Sequence, residues 1–190
     1  MGIANALARQ DHIHAHGNQG NGTQHTTATT SVDGFMSAAD KVKLDGVQNP
    51  LSLLSTTTYT TTSSTTFTVV SNLQITATSG NFYKFKMYLR YASAATATGI
   101  CVSISGTSSG SIIAQATGAT TTTATQSYRL NSFATPLQFT AAPSTSPELV
   151  MIEGIFVCTG TGTMYPQFRS ETNGVQMQVL NNSFIEYVEI

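Results

Sequence analysis

The chain has 190 residues, a formal net charge of −1 and only 9% charged side chains, against about a quarter in ordinary soluble domains. That length supports one well-buried domain with an appendage, not two independent cores. Its eight basic residues are scattered, and no segment approaches the ~20 apolar residues of a membrane span, so neither nucleic acid nor membrane insertion is expected.

The first segment, residues 1–54, reads as an arm without a core. Met1–Gln10 has one Arg and no long apolar run, unlike a secretory signal. Asp11–Thr30 is polar and glycine-rich and predicts an extended chain that contact with a partner must order. It holds His12, His14 and His16 in an H-x-H-x-H array, with His25 further on. In an extended chain these three imidazoles project to one side, which suits a transition-metal ion on the axis of a threefold assembly. Solvated or hydrogen-bonding groups at a packed joint are the other reading. A short helix over 37–45 follows, opened by Ser37 with Asp40 three residues on and stopped by Gly46. Two turns of helix do not stand alone in water. Its neighbourhood of Phe35, Met36, Val42 and Leu44 is therefore expected to dock on a partner.

Residues 55–190 predict one all-β domain. Period-two alternation recurs at short spacing, broken by Gly, Ser, Thr, Asn and Pro. The clearest strand is Tyr83–Tyr91: Tyr83, Phe85, Met87, Leu89 and Tyr91 take one face, Lys84, Lys86, Tyr88 and Arg90 the other. Further strands are expected at 66–70, 73–77, 100–105, 112–116, 128–133, 137–140, 164–169, 175–179 and 184–190. Leu149–Cys158, almost continuously apolar, predicts a strand buried on both faces. Gly160–Gly162 predicts a hairpin turn. Eight to ten short strands at ~8 to 15 residue spacing point to a two-sheet sandwich, most simply a jelly roll. Such a sandwich, with so few ionic side chains on its surface, suits a subunit covered by copies of itself or by a partner.

No catalytic constellation emerges. Every histidine lies in the arm, away from any rigid scaffold that could hold a base beside a nucleophile. The acids Glu148, Glu153, Glu171, Glu186 and Glu189 are dispersed, so the expectation is a protein that is not an enzyme. Cys101 and Cys158 belong to no ligand-spaced pattern and read as small buried hydrophobes, with a disulfide between them left open. Tyr59, Tyr128 and Tyr165 are candidates for stacking on a sugar ring, or else rim and core aromatics.

The run HIHAHGNQGNGTQH and then ATTSVDGFMSAADKVKLDGV (28–47) resembles a segment recurring in bacteriophage virion proteins, particularly fibres, collar-type appendages and head-decoration proteins. GFMSAADKVKLDG (34–46) is its most specific part. The closing stretch, with GTGTMYPQF and FIEYVEI, looks like the last strands of jelly-roll domains at the ends of such proteins. The resemblance implies a homotrimer on the virion surface, assembled in the host cytoplasm. Residues 1–50 would grip the major capsid protein or another virion protein, and residues 55–190 would be displayed. A trimeric capsid decoration (cement) or head-fibre protein is the first expectation. A tail-fibre or collar protein recognising host surface glycan is the second.

Overall fold

The computed structural model describes residues 29–31, 36–45, 50–120, 124–140, 142 and 145–190. The chain forms two compact units, Met1–Gln48 and Asn49–Ile190.

In the first unit the described secondary structure is one helix, α1 (Ala38–Asp45). Its start is chemically specified. The Asp40 N–H donates to Ser37 Oγ at 3.0 Å while the Ser37 hydroxyl donates to Asp40 Oδ2 at 2.9 Å, which satisfies an amide that the first turn leaves without a helical partner. Lys43 Nζ lies 3.2 Å from Asp40, and Lys41 pairs with Asp45. Met36, Val42 and Leu44 are all exposed.

The second unit is built from strands β1 (Leu51–Leu54), β2 (Tyr59–Thr61), β3 (Thr68–Val69), β4 (Ile75–Ala77), β5 (Phe82–Ser93), β6 (Ile100–Gly106), β7 (Ser109–Ala119), β8 (Thr125–Leu130), β9 (Leu137–Gln138), β10 (Glu148–Gly160), β11 (Gly162–Ser170), β12 (Met177–Val179) and β13 (Phe184–Glu189). They form two antiparallel sheets. The larger has eight strands in the order β1-β13-β5-β10-β7-β8, with β12 also on β5 and β2 on β12. The smaller has five, ordered β3-β11-β6-β9, with β4 also on β11.

The pairing has a simple logic. β3 and β4 pair with β11, β5 with β10, β6 with β9, and β7 with β8. First therefore meets last, second meets second-to-last, and successive rungs fall in alternate sheets. That is a long hairpin folded over on itself, the jelly roll that the alternation predicts.

The core lies between the sheets. Tyr83, Phe85, Met87, Leu89 and Tyr91 of β5, with Val150, Ile152 and Phe156 of β10, face Ile75, Ile100, Val102, Ile104, Met164 and Phe168 of the smaller sheet. Each such side chain contributes roughly 1.5–3 kcal/mol through burial. Aromatic contacts tie one end: Phe156 stacks near Tyr83 with ring centroids 6.3 Å apart and meets Phe133 edge-on at 5.1 Å. The buried Tyr83 hydroxyl accepts from the Thr78 N–H at 2.8 Å and donates to Glu189 at 3.1 Å, so its burial strands no polar atom.

Two expectations are corrected, and a Thr-rich tract that the sequence leaves open between strand and loop is settled. Leu51–Leu54, assigned to the arm, is a strand of the larger sheet paired with Phe184–Tyr187. Ser55 fixes it there: its amide donates to Ser183 and its carbonyl accepts from Asn182, both at 2.7 Å. The Thr56–Thr66 tract contains β2, paired with β12. Gly160–Gly162 is not a hairpin, because β10 and β11 belong to different sheets. It is a corner, preceded by a register shift between Cys158 and Gly160.

Glycine is needed at this corner for space. A Cβ on Gly162 would lie 2.4 Å from the Ser108 nitrogen, and one on Gly106 would lie 1.8 Å from the Thr163 carbonyl oxygen. That same oxygen accepts from the amides of Thr107 and Ser108 at 3.0 and 3.2 Å, so it cannot move without breaking them. Gly106→Ala should cost about 3 kcal/mol of unfolding free energy by urea titration. A loss below about 1 kcal/mol would contradict the reading of the corner.

Candidate functional site

The residues singled out in the sequence do not converge. His12, His14, His16 and Phe35 lie outside the described residues. Among the described residues no group of three His, Cys, Asp or Glu side chains is arranged to hold a metal. Tyr59 and Tyr128 both pack against the core. The Tyr59 hydroxyl is 3.0 Å from Ser71 Oγ and accepts from the Asn72 amide at 3.3 Å, and Tyr128 sits edge-on to Phe139 at 5.2 Å. Tyr165 belongs to β11 of the smaller sheet, opposite Ser105. The three rings share no platform.

The acids hold the fold together. Glu171 accepts from the Gly99 amide at 2.8 Å and from Gln138 Nε2 at 3.1 Å, which clasps the start of β6 to β9 and β11. Glu189 accepts from Asn81 at 2.6 Å and from Tyr83 at 3.1 Å. Cys101 and Cys158 are both buried free thiols, on strands of different sheets. Burial pushes the Cys101 thiol up, with Arg169 acting in the opposite sense.

The feature that does converge is the outward side of the larger sheet. Leu149 and Ile155, expected to be buried with the rest of β10, are 45% and 47% exposed. Strand β10 is thus covered on one face and open on the other. The register pairs place its outward side chains in rows that cross the sheet. One row is polar: Glu186 (β13), Lys86 (β5), Glu153 (β10), Gln115 (β7) and Arg129 (β8). Lys86 Nζ lies 3.4 Å from Glu153 Oε2, both partly exposed, so the pair contributes less than about 1 kcal/mol. Apolar rows flank it. On one side stand Val188, Ile155 and Ile113 with Lys84 among them; on the other, Leu54, Phe184, Tyr88 and Met151. Tyr88 and Phe184 stack with centroids 4.5 Å apart. The face is concave over β5, β10, β7 and β8, forming an open groove of about 850 Å³.

The outward side of the smaller sheet differs in kind. There the register places Thr76, Thr163, Tyr165, Gln167 and Arg169, and none of the exposed large hydrophobic side chains belongs to it. Of those in the β unit, Leu54, Phe82, Ile113, Leu149, Ile155 and Ile190 are on the larger sheet's outer side, leaving only Leu51 on its inner side at the edge strand. Sequence reasoning missed this surface because it took the apolar run of β10 as evidence of burial. The available signal was Glu153: with Val150, Ile152 and Phe156 facing in, period-two alternation puts Met151, Ile155 and Val157 on the same outward side as this charged residue.

No protein-family model matches the chain, and no significant match exists among curated proteins or among solved structures.

A buried phenol and a part-buried one shape the alkaline behaviour. Tyr91 is pushed up to about 12 from 10.0, first by burial and then by the Glu148 charge. Tyr187 is raised in the same sense, by burial and then by Tyr83 and Glu189. A phenol whose folded-state pKa is raised contributes stability that is fully present below the unfolded value and lost as pH rises through the folded one. The thermal midpoint should therefore be level up to pH 10.0 and fall toward about 12. A Tyr91→Phe variant should fall less steeply; a wild-type midpoint that declines no faster than the variant's would contradict the assignment.

Proposed function

We propose that the chain is a non-enzymatic structural protein of a bacteriophage virion: a trimeric capsid decoration or head-fibre subunit, held to the shell by its N-terminal arm and displaying the jelly roll. The observation that carries this reading is the segment GFMSAADKVKLDG (34–46), which resembles one recurring in virion proteins. Its SAAD start is realised as a capped helix, and Met36, Val42 and Leu44 are exposed around it, as an anchor awaiting a partner requires. The jelly roll and its uncovered apolar face support an assembled subunit over a solitary one.

A glycan-binding tail or collar protein is the weaker reading. Its proposed stacking residues Tyr59 and Tyr128 are engaged in the core. Catalysis has as little support, since Glu171 and Glu189 are occupied in joining loops and strands.

The test is sedimentation of the purified chain with capsids lacking any decoration protein. Full-length chain should co-sediment to saturation, and a Val42→Asp, Leu44→Asp double variant should lose at least ten-fold in affinity while the β unit keeps its thermal midpoint. Undiminished capsid binding by that variant would sink the anchoring role; no binding by the full-length chain would sink the virion reading.

A further inference from the structure

We propose that the outward face of the larger sheet, centred on β10 and its neighbours β5 and β7, is the surface through which copies of this chain meet head to tail. The inference deepens the trimeric reading above and rests on it, because it names the partner as a second copy and the face as the contact.

Three observations select the occupant. The first is composition. Among the described residues of the β unit, every large exposed apolar side chain but Leu51 is on this one face, and none lies on the outer side of the smaller sheet. A sheet exposed to water on one side normally alternates polar outward, as Lys84, Lys86 and Arg90 do; Leu149, Met151, Ile155 and Val157 on the central strand do not. The second is size. Six adjacent strands spaced ~4.8 Å apart, over about eight residues of length at ~3.4 Å each, give a projected patch of roughly 650 Å². That is below the ~800 Å² per partner of a standard interface, and in a ring it is divided between two neighbours, so only a closed assembly covers it whole.

The third is the arrangement of charge. The polar row runs from Ser52 on β1 and the acid Glu186 on β13 to a base, Arg129, on β8. Within one subunit Glu186 and Arg129 lie four strand spacings apart, roughly 19 Å, beyond any direct contact. When the β8 side of one copy meets the β1–β13 side of the next, Arg129 is brought to Glu186 while the apolar side chains of β5, β10 and β7 turn in toward the other copies. A head-to-tail contact of this kind uses two different patches and closes into a ring when its rotation permits, as a trimer requires. A twofold pair whose axis crosses the row at right angles would also set Arg129 against Glu186, but it would stack the central Glu153 of one copy on its equivalent.

The experiment uses the full chain and reads mass in solution at micromolar concentration. Wild type should run at a multiple of the 20.1 kDa subunit mass. An Ile113→Glu, Ile155→Glu double variant should run as single subunits with its far-ultraviolet circular dichroism unchanged, since both side chains point away from the core. Thr76→Glu, Gln167→Glu on the other sheet should leave the assembly intact. Arg129→Glu alone and Glu186→Arg alone should each weaken it at least ten-fold, and combining them should restore it, a rescue that residues so far apart in one subunit cannot produce internally.

Assembly that survives the isoleucine changes, or reversals that do not rescue each other, would overturn this contact. The capsid experiment would then still stand or fall separately. A solitary wild-type chain would overturn both the face and the trimer. In that case protection of Ile113 within the solitary chain would assign the cover to residues 1–50.

Discussion

The structure turns on a single strand that is apolar on both sides. β10 sends Val150, Ile152 and Phe156 into the sandwich and Leu149, Met151, Ile155 and Val157 out of it, and the single subunit buries only the first set. Burial of the inner set orders the jelly roll: β10 pairs along ten residues with β5 on one side and along β7 on the other. The outer set then faces water over an area larger than a scattered surface leucine explains. The fold is thus one consequence of this stretch, and the proposed contact between copies rests on its other side.

The appended strands extend the same surface. β13 and β1 add width beyond β5, bringing Phe184 and Leu54 into a row with Tyr88 and Met151. They are secured by buried hydroxyls: Ser183 Oγ accepts from the Arg90 amide at 2.9 Å and donates to the Leu180 carbonyl at 2.8 Å. The scarcity of charge fits this architecture. Of the charges these strands present outward, Lys86, Glu153, Glu186 and Arg129 share one row, and at the proposed contact such charges would fix orientation more than add affinity.

Much of the fold was legible in the sequence. β5 declared itself because its inward aromatics alternate with Lys84, Lys86 and Arg90, so period and polarity agree. The helix was legible from Ser37 and Asp40, whose hydrogen bonds form as their spacing predicts. β1 and β2 were not legible: Leu-Ser-Leu-Leu is too short to show a period, and Thr suits strand and loop alike. The corner at Gly160–Gly162 was misread because neighbouring strands in sequence need not share a sheet; only the close approach of Ser108 reveals the switch. The outward face was hidden for a deeper reason. An apolar run carries no sign of which of its side chains the fold covers and which it leaves outward.

The central claim is that the outward side chains of β10 and β7 are covered by another copy. Hydroxyl-radical footprinting of the unmodified chain, compared between dilute and micromolar solutions, tests it most directly. Ile113 and Leu149, 59% and 45% exposed in the single subunit, should be labelled when dilute and shielded when concentrated, while Tyr165 on the opposite sheet reacts equally in both. Equal labelling of Ile113 and Leu149 at the two concentrations, with Tyr165 unchanged, would contradict the account.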